Sequence, residues 1–387
     1  MELQGIKSVT IEERLQSIEL RLTKLESAIE ISNLRQPVIE TKEFQTDGSA
    51  SLAEAVINEE KGLESRIGRV GLAWLGNLVL LFAVVFFTEY IITQGHGFLS
   101  VVIGFISAGI IFFISNYLKE TNSNLSFMLK INGQLILFYE TLRMHFFSAD
   151  PLISNKSVVI ILLLFIVTYQ IYSAVKNKSQ TLGFIAVVFA LLTAIMSDST
   201  HIMLPLITIT AVAVIYGFVK YDWQFLLIAC IFFVYAAFFI WLFGNPVMGH
   251  TMQILKNHYY GHLYLFALGG CFSLLPLLRK NDETIDDLLI GAIILNGIFF
   301  TLLLTIFSTT FFSKSYVSEF SVVSICCIVY SVVLKSASDR KFSSAFYALY
   351  GFMAMSISLY GMVGLPRVYL LLSAQSLIVV SMALWFR

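Results

Sequence analysis

Glu140 and Arg143 stand three residues apart in a run otherwise rich in Leu, Ile and Phe. That spacing sets a carboxylate and a guanidinium on one face of a helix. A charge at mid-membrane costs roughly 2.5–3.5 kcal/mol on insertion scales, so such groups turn inward and find partners. The same run carries Lys130, Asn132 and Gln134, and Glu89 lies near the end of the first apolar run. These six residues are the candidates for an ion, proton or substrate path. The competing reading is a structural ion pair that joins helices near the outer rim.

Histidine is the second candidate chemistry, because imidazole binds transition metals and titrates near neutral pH. His258 and His262 are four apart and share a face if that segment is helical. With His250 they are the only candidates for a metal site, with Asp150 or Asp198 as further ligands. A site needs three or four ligands and HExxH is absent, so no metal and no cofactor are expected. Neither GxxxxGK[ST] nor GxSxG occurs, which argues against a P-loop ATPase and a serine hydrolase.

The elements that must hold these residues follow from composition. Of 387 residues, 57 % are hydrophobic and 13 % charged, with 25 Lys+Arg against 25 Asp+Glu. A soluble domain carries roughly 25 % charged residues. A nucleic-acid binder would show a basic excess. The mean hydropathy of +0.81 points instead to a polytopic membrane protein. Cys230, Cys271, Cys326 and Cys327 all fall in apolar runs without a CxxC pair, so buried thiols are expected.

Twelve apolar runs are readable: 70–93, 98–117, 127–147, 157–175, 181–197, 202–219, 224–243, 259–278, 288–308, 319–336, 342–363 and 368–386. Most approach the ~20 residues that carry a helix across hydrocarbon, so the expected fold is all-α, a bundle of about twelve transmembrane helices. With the amino terminus placed in the cytoplasm, the inner flanks hold thirteen Lys/Arg, from Lys61 to Arg387. The outer flanks hold only Lys156, Lys256, Lys314 and Arg367. This bias predicts cytoplasmic termini and puts all six histidines at the outer rim. Trp74, Trp223, Trp241 and Trp385 lie near span ends, where interfacial aromatic belts form. Single amides at Asn77, Asn296 and Gln375 suggest hydrogen bonds between helices, and Gly269-Gly270 suggests close helix approach.

Residues 1–69 are a polar arm with 9 basic and 13 acidic residues. They open Met1-Glu2-Leu3-Gln4, so no cleavable signal peptide is expected. Ile11, Leu15, Ile18, Leu22, Leu25 and Ile29 form a seam with spacings of four and three, a heptad pattern. Arg14 and Arg21 then lie at g, five before Glu19 and Glu26 at e, which suits parallel chains in register. Residues 1–34 are read as a cytoplasmic coiled coil that makes a homo-oligomer, and 35–69 as a linker and juxtamembrane helix. The membrane domain is 70–387.

The stretch Glu64-Ser65-Arg66-Ile67-Gly68-Arg69-Val70-Gly71 running into 78–87, Ile131-Asn132-Gly133 through Tyr139, and 179–194 resemble an uncharacterised bacterial family. Its members are predicted membrane proteins with a domain of unknown function and a coiled coil before many spans. Where that family usually has paired glycines and a proline in its fifth span, this chain has Val188, Phe189 and Ala194. The resemblance implies topology and inner-membrane placement, and no reaction.

The first functional expectation is a non-enzymatic envelope scaffold or assembly factor. The alternative is a secondary transporter or channel with its path near span three. The third is an intramembrane transferase on lipid-linked substrate, with His145 or His262 as base. The lipid bilayer is the expected partner and nucleic acid is not. Reporter fusions at residues 1 and 387 should place both ends on one face of the membrane; ends on opposite faces would overturn the even span count.

Overall fold

The computed structural model describes residues 50–147, 151–254, 259–278, 283–338 and 341–386, with side-chain surroundings from Gly71 onward. The heptad seam Ile11–Ile29 and His258 lie outside the described residues. The chain divides into two compact units, Met1–Gly71 and Leu72–Arg387, and the second holds every contact discussed below.

Among the described residues the secondary structure is helical. The long helices are α1 (Ala50–Thr93), α2 (Gly97–Leu118), α3 (Ser123–Arg143), α4 (Lys156–Lys176), α5 (Gln180–Ser197) and α6 (Thr200–Tyr221). They continue as α7 (Gln224–Leu242), α8 (Tyr259–Ser273), α9 (Glu283–Thr310), α10 (Tyr316–Ser338), α11 (Lys341–Val363) and α12 (Val368–Phe386). Among the described residues, eleven segments are long and apolar enough to cross a membrane. The helix outside that set is α3, the polar one, which matches the others in length.

Short links follow from local chemistry. The Asn155 side chain accepts from Ser157 N at the start of α4, and Ser179 Oγ accepts from Leu182 N at the start of α5. Asp198 and Asp222 take left-handed φ values of 47° and 58° at the ends of α5 and α6, so each chain reverses within a few residues.

Burial grades across the bundle. The apolar window of α5 is 67 % buried and that of α7 56 %, against 11 % for α1 and for α12. The main core lies among α5 to α9, with Leu204, Phe218, Cys230, Phe238, Leu265 and Leu303 fully enclosed. A smaller cluster joins α1, α2 and α3 through Leu80, Val84, Ala108, Leu129 and Ile136.

Three expectations need correction. The third span is shifted: the helix is Ser123–Arg143, not 127–147. Phe147 adopts φ 65°, Ile153 N donates to Met144 O at 3.1 Å, and His145 Nδ1 meets Ile153 O at 2.8 Å, so the chain turns back after Arg143. The tryptophans do stand near helix ends, but two of the four are enclosed in the bundle rather than exposed on its surface. Trp74 and Trp385 are exposed, but Trp223 and Trp241 are buried against glycines. Cys326 is exposed, unlike Cys230, and all four cysteines are free.

The Trp241 indole occupies the space that a side chain on Gly261 would need, and its Nε1 donates to Thr200 Oγ1 at 3.1 Å. Gly261→Ala should therefore lower stability by about 1–3 kcal/mol through overpacking. Thermal unfolding in detergent measures this; an unchanged midpoint would show that the indole can move aside.

Candidate functional site

Arg143 ends α3 and is the largest fully buried side chain among the described residues. A guanidinium carries five N–H donors and no acceptor, so burial demands several acceptors around it. Consecutive helices supply them. Nη1 donates to Thr88 Oγ1 of α1 at 2.9 Å, and Nη2 donates to Ser100 Oγ of α2. Nη2 lies 3.2 Å from Glu140 Oε2, one turn earlier on α3. Nη1 lies 3.6 Å from Glu89 Oε2 on α1. The guanidinium also sits 5.5 Å from the centre of the Tyr139 ring, within cation–π range.

The two hydroxyls pass their own protons onward. Thr88 Oγ1 donates to Val85 O at 3.0 Å, and Ser100 Oγ donates to Thr88 O. Each can therefore turn a lone pair to the cation. The arrangement ties the end of α1 to the start of α2 and the end of α3.

Glu140 is fully buried, whereas Glu89 is half exposed. Space for Glu140 comes from Gly104 of α2, where any Cβ would overlap the carboxyl group. The favour is returned one helix over: Gly133 of α3 receives the ring of Phe112, which a Cβ would meet at 3.1 Å. Glycines on both helices thus allow the close approach that brings the charges together. Below them, Ser115 Oγ donates to Ser126 O and Ser126 Oγ to Ser115 O, both at 2.7 Å.

The six path candidates separate. Glu89, Glu140 and Arg143 meet in one cluster. Asn132 belongs to a second, with Nδ2 donating to Asn77 Oδ1 at 2.8 Å while Asn77 Nδ2 donates to Met128 O at 3.0 Å. Gln134 is buried with neither amide atom hydrogen-bonded, and half-buried Lys130 joins neither group. The remaining single amides also bridge helices: Tyr235 Oη donates to Asn296 Oδ1 at 2.6 Å, and Gln375 Nε2 to Phe352 O at 2.8 Å.

The described histidines His250 and His262 go to different partners. His250 Nε2 lies 2.8 Å from Asp198 Oδ2, and that carboxylate also accepts from Asn245 Nδ2 at 2.9 Å through Oδ1. His262 Nε2 lies 3.8 Å from Glu319 Oε2, which accepts from Ser308 Oγ at 2.6 Å. Among the described residues no group of three or more His, Cys, Asp or Glu is placed to hold a metal ion.

Sequence reasoning missed Thr88, Ser100, Gly104 and Glu319. A signal existed for the first two. The end of span one, the start of span two and the end of span three share one rim in any up-and-down bundle. Polar residues at matching depths there could have been grouped with Arg143. Glu319 stands in the first turn of α10 and is buried, on the same rim as His262.

No family model matches this chain, and neither a curated protein nor a solved structure matches it.

Arg143→Met should destabilise the protein by about 3–5 kcal/mol, because it leaves the Glu140 carboxylate buried without its cation. Adding Glu140→Met should recover most of the loss, since an apolar pair of similar volume needs no partner. Thermal unfolding of both variants in detergent tests this; a double variant no more stable than Arg143→Met would show that the pair does more than cancel charge.

Proposed function

We propose that this chain is a multi-pass protein of the bacterial cytoplasmic membrane, with both termini in the cytoplasm, acting as a non-enzymatic envelope scaffold or assembly factor. Membership of the uncharacterised bacterial family it resembles is part of the same proposal. The observation that carries the reading is the enclosure of Glu140 and Arg143. The residues best suited to transport chemistry are buried in contacts that join α1, α2 and α3. The heptad seam Ile11, Leu15, Ile18, Leu22, Leu25 and Ile29 supplies a means of self-association on the cytoplasmic side. Loops between helices are too short to house a domain, so partners would be met by the arm or the lipid-facing surface.

A secondary transporter or channel is the second reading, favoured by one feature. Glu89 is half exposed while lying 3.6 Å from buried Arg143, so an exposed carboxylate touches an enclosed cation. In that case protonation or ion binding at Glu89 would reach Glu140 through the guanidinium.

Two variants separate the readings. Deleting residues 1–34 should abolish cross-linking between copies in membranes and remove the cellular phenotype, while Glu140→Gln leaves ion flux in proteoliposomes unchanged. Flux lost in Glu140→Gln, with the arm dispensable, would replace the scaffold by the transporter.

A further inference from the structure

A groove of about 390 Å³ lies among α4, α5, α6 and the start of α7, away from the Arg143 cluster. Its origin is in the packing. Helices α4 and α6 each lie against α5 but hardly touch one another, which leaves a trough with α5 as its floor. Ala186, Val187 and Ala190 of α5 are buried there, while Ile171 of α4 and Ile209 and Val212 of α6 stand exposed along its edges. On α6 the lining runs from Leu206 to Gly217, roughly 16 Å at ~1.5 Å per residue. That is close to half of the ~30 Å hydrocarbon layer.

The lining fits hydrocarbon. No Asp, Glu, Lys, Arg or His contributes to it, and the Thr210 hydroxyl donates to Leu206 O of its own helix at 2.7 Å. An apolar trough open at the bundle surface would suit any acyl chain. Its end decides which lipid.

At that end stand the last residues of α4 and α6 and the turns that follow them. Tyr216 lines the groove, and its hydroxyl accepts from Lys220 Nζ at 2.7 Å. The same ammonium lies 5.2 Å from the centre of the Tyr216 ring and 5.6 Å from that of Tyr221. On the α4 side Val175 lines the groove next to Lys176, whose ammonium sits 5.7 Å from the centre of the Tyr172 ring. Trp223 closes the floor here, its indole filling the room that a side chain on Gly183 or Gly217 would take. Lys178 belongs to the α4–α5 turn, and Asp222 is the one acid in either turn. All three lysines are exposed, and among the described residues none of them pairs with a carboxylate. The aromatic rings hold two of the ammonium groups beside the groove without neutralising them.

We propose that this groove binds an acidic phospholipid, with one acyl chain lying along α5 and the phosphate at the end marked by Lys176 and Lys220. The uncompensated positive charge selects the head group. Each lysine at a membrane surface attracts an anionic lipid, whereas a zwitterionic one brings as much positive charge as negative. The proposal rests on the chain spanning a bilayer and not on its acting as a scaffold.

The test uses the full chain in phosphatidylcholine nanodiscs, and its recovery in those discs establishes bilayer insertion independently of the lipid result. A phosphatidylglycerol probe with a diazirine in its acyl chain is added, and the labelled peptides are mapped. Labelling of α4 to α6 is expected, displaced by unlabelled phosphatidylglycerol and not by phosphatidylethanolamine. Lys176→Gln and Lys220→Gln should each weaken it about fivefold, the worth of one lysine beside an anionic lipid. Both side chains are exposed, so the thermal midpoint should hold. Lys314→Gln, at a different turn, should leave the labelling unchanged. Ala213→Leu, which narrows the groove, should abolish it. Unsaturable labelling, equal displacement by phosphatidylethanolamine, or labelling that both Lys176→Gln and Lys220→Gln leave intact overturns the proposal.

Discussion

A guanidinium enclosed in a membrane protein dictates the geometry around it. Arg143 cannot shed its charge, and removing it from water without acceptors is far costlier than any packing gain. The chain answers with a carboxylate from its own helix and hydroxyls from the two preceding ones. Each of those groups fixes something else. Glu140 requires Gly104, Gly104 requires α2 close to α3, and Thr88 sets the register of α1 against both. The three helices are thus coupled through one side chain.

The rest of the bundle follows the same logic with neutral groups. Lipid tails are as apolar as leucine, so helices gain little from the hydrophobic effect when they associate within the membrane. Close approach and hydrogen bonds must hold them. Asn77 with Asn132, Tyr235 with Asn296, Ser115 with Ser126, and Gln375 with Ser356 each cross a helix interface. Glycines at 183, 217 and 261 admit Trp223 and Trp241, which are buried for that reason rather than held at the lipid surface.

Two regions of different chemistry result. Around α1 to α3 an enclosed ion pair, Glu140 with Arg143, stands beside neutral hydrogen-bonded groups. Among α8 to α11 the residues that border a cavity are uncharged, while Glu319 and His262 meet elsewhere on the same helices. The first favours rigidity and the second leaves open space between its helices.

Helix count and placement were legible in the chain because a run of apolar residues long enough to span hydrocarbon admits few other structures. All twelve runs correspond to helices, and only the third is displaced appreciably, by the turn at Phe147. The inward tendency of Glu140 and Arg143 was legible too, from the cost of charge in lipid. What the sequence could not decide was partnership. Residues 55 positions apart, such as Thr88 and Arg143, meet because helices pack side by side, and no local spacing encodes that. The same holds for the separation of Asn132 from Glu140, the parting of His250 from His262, and the four-helix cavity around Tyr347. Insertion into lipid depends on composition along the chain, whereas contact between spans depends on shape across it.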